Sequence, residues 1–461
     1  MKQITEAYSK LTKHPEGSLK ELLAISLPLM LSFLSGNLMM FLDRLILANY
    51  ALEAMNAAAA AGMACMVVIY GGTAIASIAE VFVGRANGSR EYGKAARAVW
   101  QMVWFSLMTT VIFVLLAQFG GPWMLSNFYY KEYGLPYFQW LLYFGPAFSL
   151  QAAFAAFFIG IGRTKIVLAA AVLGNAANVL LDLLLIFGLG FFPSLGAKGA
   201  ALATGVSQLL QIAVLLVPFF NTRHRCKYRT CDIAFRPKLF FQCLRIGVPS
   251  SVGHMIEITG WAVLARMMIS VGEAYITVIA IGQSFYSLIA FAMEGLQKAV
   301  TTVSANFIGA KKWKLIFKTW KSAFRQLVLL ALIFSSFMIF YPDPIIKEFI
   351  SKENLPESFH QVYLLLRTTC FFVWLYLILD GITWISAGIL TAYGDTLFIM
   401  VMNAVSVWLF AIMPIYFFIV RQKNPPSYIW LFICIYGLLN ALFFYIRFRF
   451  KLKQTKEREV L

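Results

Sequence analysis

Long apolar stretches alternate with short polar loops along nearly the whole chain. A helix rises about 1.5 Å per residue and the hydrocarbon core of a bilayer is about 30 Å thick, so each stretch can cross a membrane as a helix. Lipid offers no water to satisfy the backbone, which excludes irregular crossings. The pattern predicts an all-α polytopic membrane protein with twelve transmembrane helices. Their approximate limits are 19–46, 53–83, 98–120, 137–160, 166–190, 197–220, 239–270, 275–307, 322–341, 359–389, 396–420 and 427–446.

Basic residues are distributed unevenly among the loops. Together, the N-terminus, the loops after the even-numbered helices and the C-terminal tail hold most of the lysines and arginines, whereas the opposite loops hold few. Because loops rich in basic residues stay on the cytoplasmic side, both termini are predicted to be cytoplasmic. The polar N-terminal segment lacks the apolar core of a cleavable signal peptide, so we expect none.

The second half of the chain repeats the first. A shift of 221 residues places Pro28 on Pro249 and Gly88 on Gly309 without a gap, and GIGRTK after the fourth helix corresponds to TAYGDT after the tenth. Each half has an even number of helices, so both enter the membrane in the same orientation. We therefore predict two six-helix bundles related by a pseudo-two-fold axis along the membrane normal, with the working cavity between them. The predicted parts are an N-lobe (1–220), a basic cytoplasmic linker (221–238) and a C-lobe (239–461).

Composition supports this class and excludes others. The 461 residues are 60% hydrophobic and only 13% charged, with a mean hydropathy of +0.74, whereas a soluble domain carries about a quarter charged residues. The net charge of +18 lies in loops facing the bilayer surface, so it does not indicate a nucleic-acid partner. His224, Cys226 and Cys231 lie close together, but their spacing is not that of a zinc site. We expect no cofactor and no metal beyond a coupling ion.

Asp182 lies deep in the fifth apolar stretch. Asn175 and Asn178 share its helix face, since the three are spaced i, i+3 and i+7. Asp43, late in the first helix, reaches the same outer half of the membrane. Ionisable groups at such depth are costly and face a partner, a cavity or an ion. Two neighbouring carboxylates need a proton or a cation between them, so we interpret this face as a cation or proton site; a structural hydrogen bond for Asp182 and an ion pair of Asp43 with Arg44 remain alternatives.

A second set of charged residues lies in the second half. Glu257 is mid-span in the seventh helix with His254 on the same face, and Asp380 is near mid-depth in the tenth. They are either a second site or a structural hydrogen-bond network, and His254 alone is interpreted as a packed, hydrogen-bonded residue rather than a proton relay. Glu294 and Lys298 in the eighth helix are spaced i, i+4, which predicts that they pair with each other. Glu80 is predicted to pair with an interfacial arginine.

The chain resembles the MATE (multidrug and toxic compound extrusion) family from about Lys20 to Phe450. The resemblance is carried by LPLMLSFLSGNLMMFLD, GRANGSREYGKA, GNAANVLLDLLLIFG and LGAKGAALATGVSQ in the first half, and by GVPSSVGHMIEI and ILDGITWISAGILTAYGDT in the second. It implies an antiporter that alternates between inward and outward access. It also implies a cation or proton site at Asp43, Asn178, Asp182 and Thr204, a C-lobe acidic pair at Glu257 and Asp380, and a hinge at Pro28.

The expected function follows from this resemblance. We expect a monomeric protein of the bacterial inner membrane that expels organic, cationic or amphipathic compounds in exchange for Na⁺ or H⁺. The chain departs from the family at two places. Arg85 and Ala86 occupy part of the usual small-residue loop after the second helix, and Glu294 and Lys298 place charge inside the eighth helix. His254, Glu294 and Lys298 are candidate auxiliary groups of the site. An alternative is a flippase of lipid-linked precursors from the same superfamily. A remote alternative is a membrane-embedded enzyme, although HExxH is absent from the sequence.

Overall fold

Helices account for the architecture in the computed structural model, which describes residues 11–121, 130–343, 346 and 359–460. Twelve long helical segments are present in these ranges, as the sequence predicts. They are α1 (Leu19–Tyr50), α2 (Leu52–Gly88, with a turn at Ile78), α3 (Tyr92–Gly120), α4 (Glu132–Gly160), α5 (Thr164–Phe187), α6 (Ala197–Phe219), α7 (Pro237–Val271), α8 (Glu273–Gly309), α9 (Trp313–Phe340), α10 (Phe359–Ala392), α11 (Thr396–Arg421) and α12 (Tyr428–Val460).

Most of these segments meet the length and hydropathy that a membrane crossing needs. Ten do so directly within the described residues, and α8 makes an eleventh when its two arms, which meet at a 47° bend between Ser287 and Ile289, count as one span. α7 is 35 residues long and carries polar side chains that lower its mean hydropathy. The structure therefore confirms an all-α, multi-pass membrane protein.

The helices extend beyond the limits that hydropathy predicts. α1 continues to Tyr50, and α9 begins at Trp313, about nine residues before the predicted apolar stretch. Hydropathy finds the part of a helix that lipid covers, whereas backbone hydrogen bonding continues into the polar, amphipathic turns outside it. Parts of the predicted loop between the ninth and tenth helices, at 344–345 and 347–358, lie outside the described residues.

The two lobes are arranged symmetrically. In the N-lobe, α1 packs on α5 and also reaches across to α8 of the C-lobe. In the C-lobe, α7 packs on α11 and reaches across to α2 of the N-lobe. The sequence repeat relates α1 to α7, α2 to α8 and α5 to α11, so each pairing in one lobe has its counterpart in the other. The repeat in the sequence is therefore also a repeat of the structure.

The lobes meet most closely where α2 and α8 cross. A Cβ atom on Gly88 would stand 1.9 Å from the carbonyl oxygen of Asn306, and one on Gly309 would stand 2.0 Å from that of Arg85. Both distances are far below a permitted contact, so only glycine lets the two backbones approach in this way. The two contacts exchange under the 221-residue shift, which places the crossing on the pseudo-two-fold axis.

Polar contacts around this crossing follow the same symmetry. The guanidinium of Arg85 donates to the carbonyl of Ala392 at the end of α10, at 2.7 and 3.1 Å. The Asn306 amide donates to the carbonyl of Gly160 at the end of α4, at 2.9 Å. Each lobe thus satisfies orphan carbonyls at a helix end of the other lobe. The two lobes are therefore in direct contact at this end of the molecule.

Candidate functional site

Two carboxyl groups meet inside the N-lobe. Asp43 on α1 and Asp182 on α5 lie close enough to share a hydrogen bond. Asp182 is completely buried and Asp43 is half-buried. The prediction that these two acids come together therefore agrees with the structure, and neither forms an ion pair with a basic side chain among the described residues. A hydrogen bond between two carboxyls requires a proton on one of them.

Asn178 connects the acids to α6. With its amide nitrogen turned toward the carboxyls, it donates to Asp43 Oδ1 at 3.0 Å and to Asp182 Oδ2 at 3.3 Å, while its oxygen accepts from the Thr204 backbone N–H at 3.2 Å. Asn178 is fully buried and Thr204 nearly so. All four residues that the resemblance assigns to the N-lobe site are thus brought into one connected group.

A row of polar side chains extends from this group toward the α2–α8 crossing. Asn175 donates to Ser35 Oγ at 2.9 Å and accepts from Gln211 Nε2 at 3.3 Å, and Gln151 donates to Gln211 Oε1 at 3.2 Å. Gln211 fits because Gly174 leaves room: a Cβ there would stand 2.2 Å from the Gln211 side chain. Sequence reasoning found Asn175 but missed the other three, since a single serine or glutamine in an apolar helix carries no signal of depth.

Tyr137 on α4 lies near the acidic pair. Its ring packs against Gly62 of α2, where an added Cβ atom would stand 3.5 Å from the ring edge, and its hydroxyl lies in electrostatic range of both Asp43 and Asp182. Sequence reasoning missed this residue too, because aromatic residues are abundant in every span. Tyr137 therefore belongs to the surroundings of the acidic pair.

The chemistry of the N-lobe group suits a proton or a hard cation. The oxygen atoms that it can offer to an ion belong to carboxylate, amide and hydroxyl groups, which are the ligands that Na⁺ and similar ions take. Asp182 Oδ1 is buried, and no N–H group or hydroxyl of the described residues donates to it. A buried acceptor without a partner is costly, and a bound cation or proton would satisfy it. The residues present therefore fit a coupling ion.

In the C-lobe, Asp380 is held by aromatic donors. Its Oδ2 accepts a short hydrogen bond from the Tyr286 hydroxyl on α8, and a second bond of 2.8 Å from Trp384 Nε1 one turn along α10. Asp380 is 4% exposed. The two donors would orient the carboxyl both in an ion site and in a structural hydrogen-bond network. Both interpretations of Asp380 therefore stay open.

Glu257 lies in a more open position. Its Oε2 accepts from Asn403 of α11 at 3.3 Å and lies 3.7 Å from His254 Nδ1. The His254 side chain is 46% exposed, and it lines a cavity of about 30 Å³ between α2 and α7 with Tyr70 and Ser251. Glu257 is in electrostatic range of Asp380 without a direct hydrogen bond between them. The predicted C-lobe acids, Glu257 and Asp380, are thus neighbours, but each is hydrogen-bonded to different residues.

The predicted pairing of Glu294 with Lys298 is wrong. Lys298 on α8 donates to Glu80 Oε1 and to Ser77 Oγ on α2, both at 3.1 Å. The prediction for Glu80, an interfacial arginine, is wrong for the same reason. The i, i+4 argument considers one helix alone, whereas α2 brings a buried carboxylate opposite Lys298. Glu294 remains half-buried in electrostatic range of His254 and Lys298.

Pro28 is buried inside α1, which remains helical on both sides of it. Proline has no N–H to donate to the helix ladder. Separately, Ser32 Oγ donates to the Pro28 carbonyl at 2.8 Å. The structure holds α1 in one conformation, so the hinge at Pro28 stays a prediction.

Sequence comparison finds relatives over most of the chain. A family model, MatE, matches residues 28–184 and 249–417, one stretch in each lobe. A protein of Thermotoga maritima described as probable multidrug resistance protein NorM is 24% identical over 408 residues, covering 87% of this chain and 86% of the relative. A Bacillus cereus protein of the same description is 22% identical over 447 residues, covering 95% and 97%.

Solved structures share the fold. A MATE structure in complex with MaL6 superimposes with a TM-score of 0.85 at 18% identity, covering 96% of this chain and 98% of that one. A structure described as the outward-facing conformation of a multidrug resistance MATE family transporter gives 0.84 at 18% identity, covering 96% and 97%. A MOP superfamily transporter from Pyrococcus furiosus gives 0.83 at 18% identity, covering 97% and 99%. At this identity the likeness establishes the arrangement of helices.

Proposed function

The chain belongs to the MatE family, and from this premise we propose that it is a secondary active antiporter that expels organic, cationic or amphipathic compounds in exchange for Na⁺ or H⁺. It is an integral multi-pass membrane protein, and its relatives are described as multidrug resistance proteins. The observation that carries the coupling part of the proposal is the contact between Asp43 and Asp182, two acids that cannot both be charged without a counter-ion.

The N-lobe group acts as the coupling site in this proposal. A proton or Na⁺ enters from the side of high concentration and neutralises the Asp43–Asp182 pair, and its loss leaves a charged pair that the buried site does not tolerate. Because α1 packs on both α5 and α8, a change at this pair reaches the C-lobe through a single helix. A shift of α1 about Pro28 is the predicted route.

Alternating access requires the lobes to separate at the α2–α8 crossing. The contacts of Arg85 with Ala392 and of Asn306 with Gly160 hold this end closed. If the positive-inside prediction is correct, this is the cytoplasmic end, and the structure is closed to the cytoplasm. The opposite conformation then breaks both contacts, and cargo enters from the cytoplasm.

The acids inside the C-lobe favour cationic cargo. Glu257, Glu294 and Asp380 lie in the C-lobe within electrostatic range of one another or of His254, while Lys298 is already neutralised by Glu80. An anionic, pyrophosphate-linked cargo, which the flippase alternative requires, would meet net negative charge there.

Purified protein in sealed liposomes tests the proposal. Vesicles loaded with ethidium are given a Na⁺ gradient, a H⁺ gradient or neither, with an ionophore collapsing the unwanted gradient in each arm. We expect ethidium movement to accelerate with one of the gradients and to stop when that gradient is collapsed. Equal rates in all arms would show that transport is not ion-coupled, and no ethidium movement together with movement of a lipid-linked anion would favour the flippase alternative.

A further inference from the structure

Two cations from different helices flank one aromatic ring on the outside of the C-lobe. The ammonium of Lys321 on α9 and the guanidinium of Arg449 on α12 each lie 5.0 Å from the centre of the Phe317 ring. The two cationic groups are therefore at most twice that distance apart. Both side chains are exposed, and so is Arg325, one turn along α9 from Lys321. We call Phe317, Lys321, Arg325 and Arg449 the α9–α12 cationic cleft.

Aromatic packing fixes this cleft. The rings of Phe317, Trp320 and Phe324 stack along α9 at interplanar angles of 7° and 4°. Trp320 also packs on Tyr445 of α12, at 5.0 Å between ring centres, and Phe317 stacks on Phe448. Because these contacts join the two helices, the positions of Lys321 and Arg449 relative to each other are set by packed rings rather than by loops.

The cations of the cleft differ from their neighbours in having no anionic partner. Among the described residues, no carboxylate lies within ion-pair distance of Lys321, Arg325 or Arg449. Nearby basic residues do have one: Lys312 pairs with Glu16 at 2.6 Å and Arg447 with Asp395 at 2.8 Å. Two or three unneutralised cations held together attract an anion from outside the chain.

The position of the cleft indicates which anion. Along α9 the exposed residues of the next two turns are apolar, among them Leu329 and Leu332, and along α12 the exposed Leu442 and Ile446 precede Arg449. Exposed apolar surface on a membrane helix faces acyl chains. The cleft therefore lies at the boundary between hydrocarbon and headgroups, where a lipid can place its phosphate on the cations and its chains on the apolar surface.

We propose that the α9–α12 cationic cleft binds the headgroup of an anionic phospholipid from the leaflet that it faces. Lys321 and Arg449 contact the phosphate from two sides, and Arg325 extends the positive charge toward the acyl chains. Arginine and lysine at this level also reach the interface along their own aliphatic stems. The site is remote from the acids of the proposed coupling site and does not depend on the transport function.

The full-length protein, purified in a neutral detergent, provides the test. Its thermal unfolding is followed by tryptophan fluorescence while phosphatidylglycerol is titrated, with phosphatidylcholine and inorganic phosphate as separate arms. We expect stabilisation by phosphatidylglycerol alone. In Lys321→Gln/Arg449→Gln, the concentration needed for half of the stabilisation should rise about thirtyfold, since each cation near an anionic lipid contributes roughly fivefold.

A matched control separates the cleft from general surface charge. Lys314→Gln/Lys453→Gln removes two exposed cations from the same two helices, farther from the apolar surface, and should respond as the unaltered protein does. The single variants Lys321→Gln and Arg449→Gln, each expected to show about a fivefold rise, replace the double variant if it does not fold. An unchanged response in the cleft variants, or an equal loss in the control, overturns the proposal, as does stabilisation by inorganic phosphate alone, which would indicate a soluble anion.

Discussion

The ammonium of Lys298 on α8 lies 3.1 Å from the carboxylate of Glu80 on α2, which makes an ion pair between the two lobes. Glu80 is 3% exposed, and Ser77 accepts a further hydrogen bond from Lys298. The pair lies about two to three helical turns from the glycine crossing of α2 and α8. It therefore belongs to the set of contacts that must break if the lobes separate at this end.

Removing one member of this pair should destabilise the protein more than removing both. Lys298→Met leaves a buried carboxylate without a partner, which costs about 3–5 kcal/mol, whereas Glu80→Gln/Lys298→Met leaves no buried charge and should recover most of that loss. Thermal unfolding in detergent of the two single variants and the double variant gives the coupling energy by a double-mutant cycle. Additive losses would show that the two residues do not interact.

Asp182→Asn should reduce gradient-driven ethidium efflux to background while leaving expression and folding intact. An amide occupies the same space but can neither release a proton nor neutralise Na⁺, so the pair with Asp43 can no longer change charge. The measurement is efflux in vesicles normalised to the amount of protein. Asp232→Asn is the matched control: this linker acid pairs with Arg97 of α3 and with Arg236 of the linker, and its loss should leave efflux unchanged. Normal efflux by Asp182→Asn would remove the N-lobe group from the mechanism.

Glu257→Gln and Asp380→Asn, combined, should abolish efflux of cationic cargo. Both acids lie in the C-lobe, and their neutral replacements keep the hydrogen bonds with Asn403 and Trp384 possible. The measurement compares ethidium with an uncharged cargo of similar size, and the loss should be larger for ethidium. If the double variant transports both compounds normally, the C-lobe cluster is a structural network.

The sequence predicts the helices and the deep acids well, for one physical reason. An ionisable group is so costly in hydrocarbon that Asp43 and Asp182 stand out by their positions inside long apolar stretches. Partners are harder to predict, because they depend on how helices pack. Glu80 and Lys298 are 218 residues apart, so only the crossing of α2 and α8 shows that they meet. Gln211 is missed for the same reason, since its role depends on the space above Gly174.

Native cysteines can test the orientation of the linker. Cys226 and Cys231 are exposed in the predicted cytoplasmic linker, while the other four cysteines are buried. A membrane-impermeant maleimide should therefore label the unaltered protein in everted membrane vesicles and not in right-side-out vesicles. Cys226→Ser/Cys231→Ser should lose the label in both. Labelling from the outside would reverse the predicted topology, and with it the assignment of the closed end.

His224, in the linker helix Thr222–Tyr228, should make the docking of the linker sensitive to acid. Its Nδ1 lies 2.6 Å from the carbonyl oxygen of Pro218, and its Nε2 lies 3.2 Å from the guanidinium of Arg163. The first contact needs a proton on Nδ1, and the second is favourable only when Nε2 accepts, so the geometry selects the neutral ring. Burial, and then the positive charges of Arg163, Arg223 and Lys227, lower the pKa of His224 below its usual value near 6.5.

A lowered pKa means that the unfolded chain binds the proton more tightly than the folded one. The stability that His224 contributes is therefore complete above about pH 6.5 and decreases as the pH falls below that value. We expect the unfolding temperature of the unaltered protein to fall more steeply than that of His224→Gln between pH 7 and pH 5, because glutamine can donate and accept in similar positions but cannot be protonated. Parallel pH profiles for the two proteins would show that His224 does not titrate in this range.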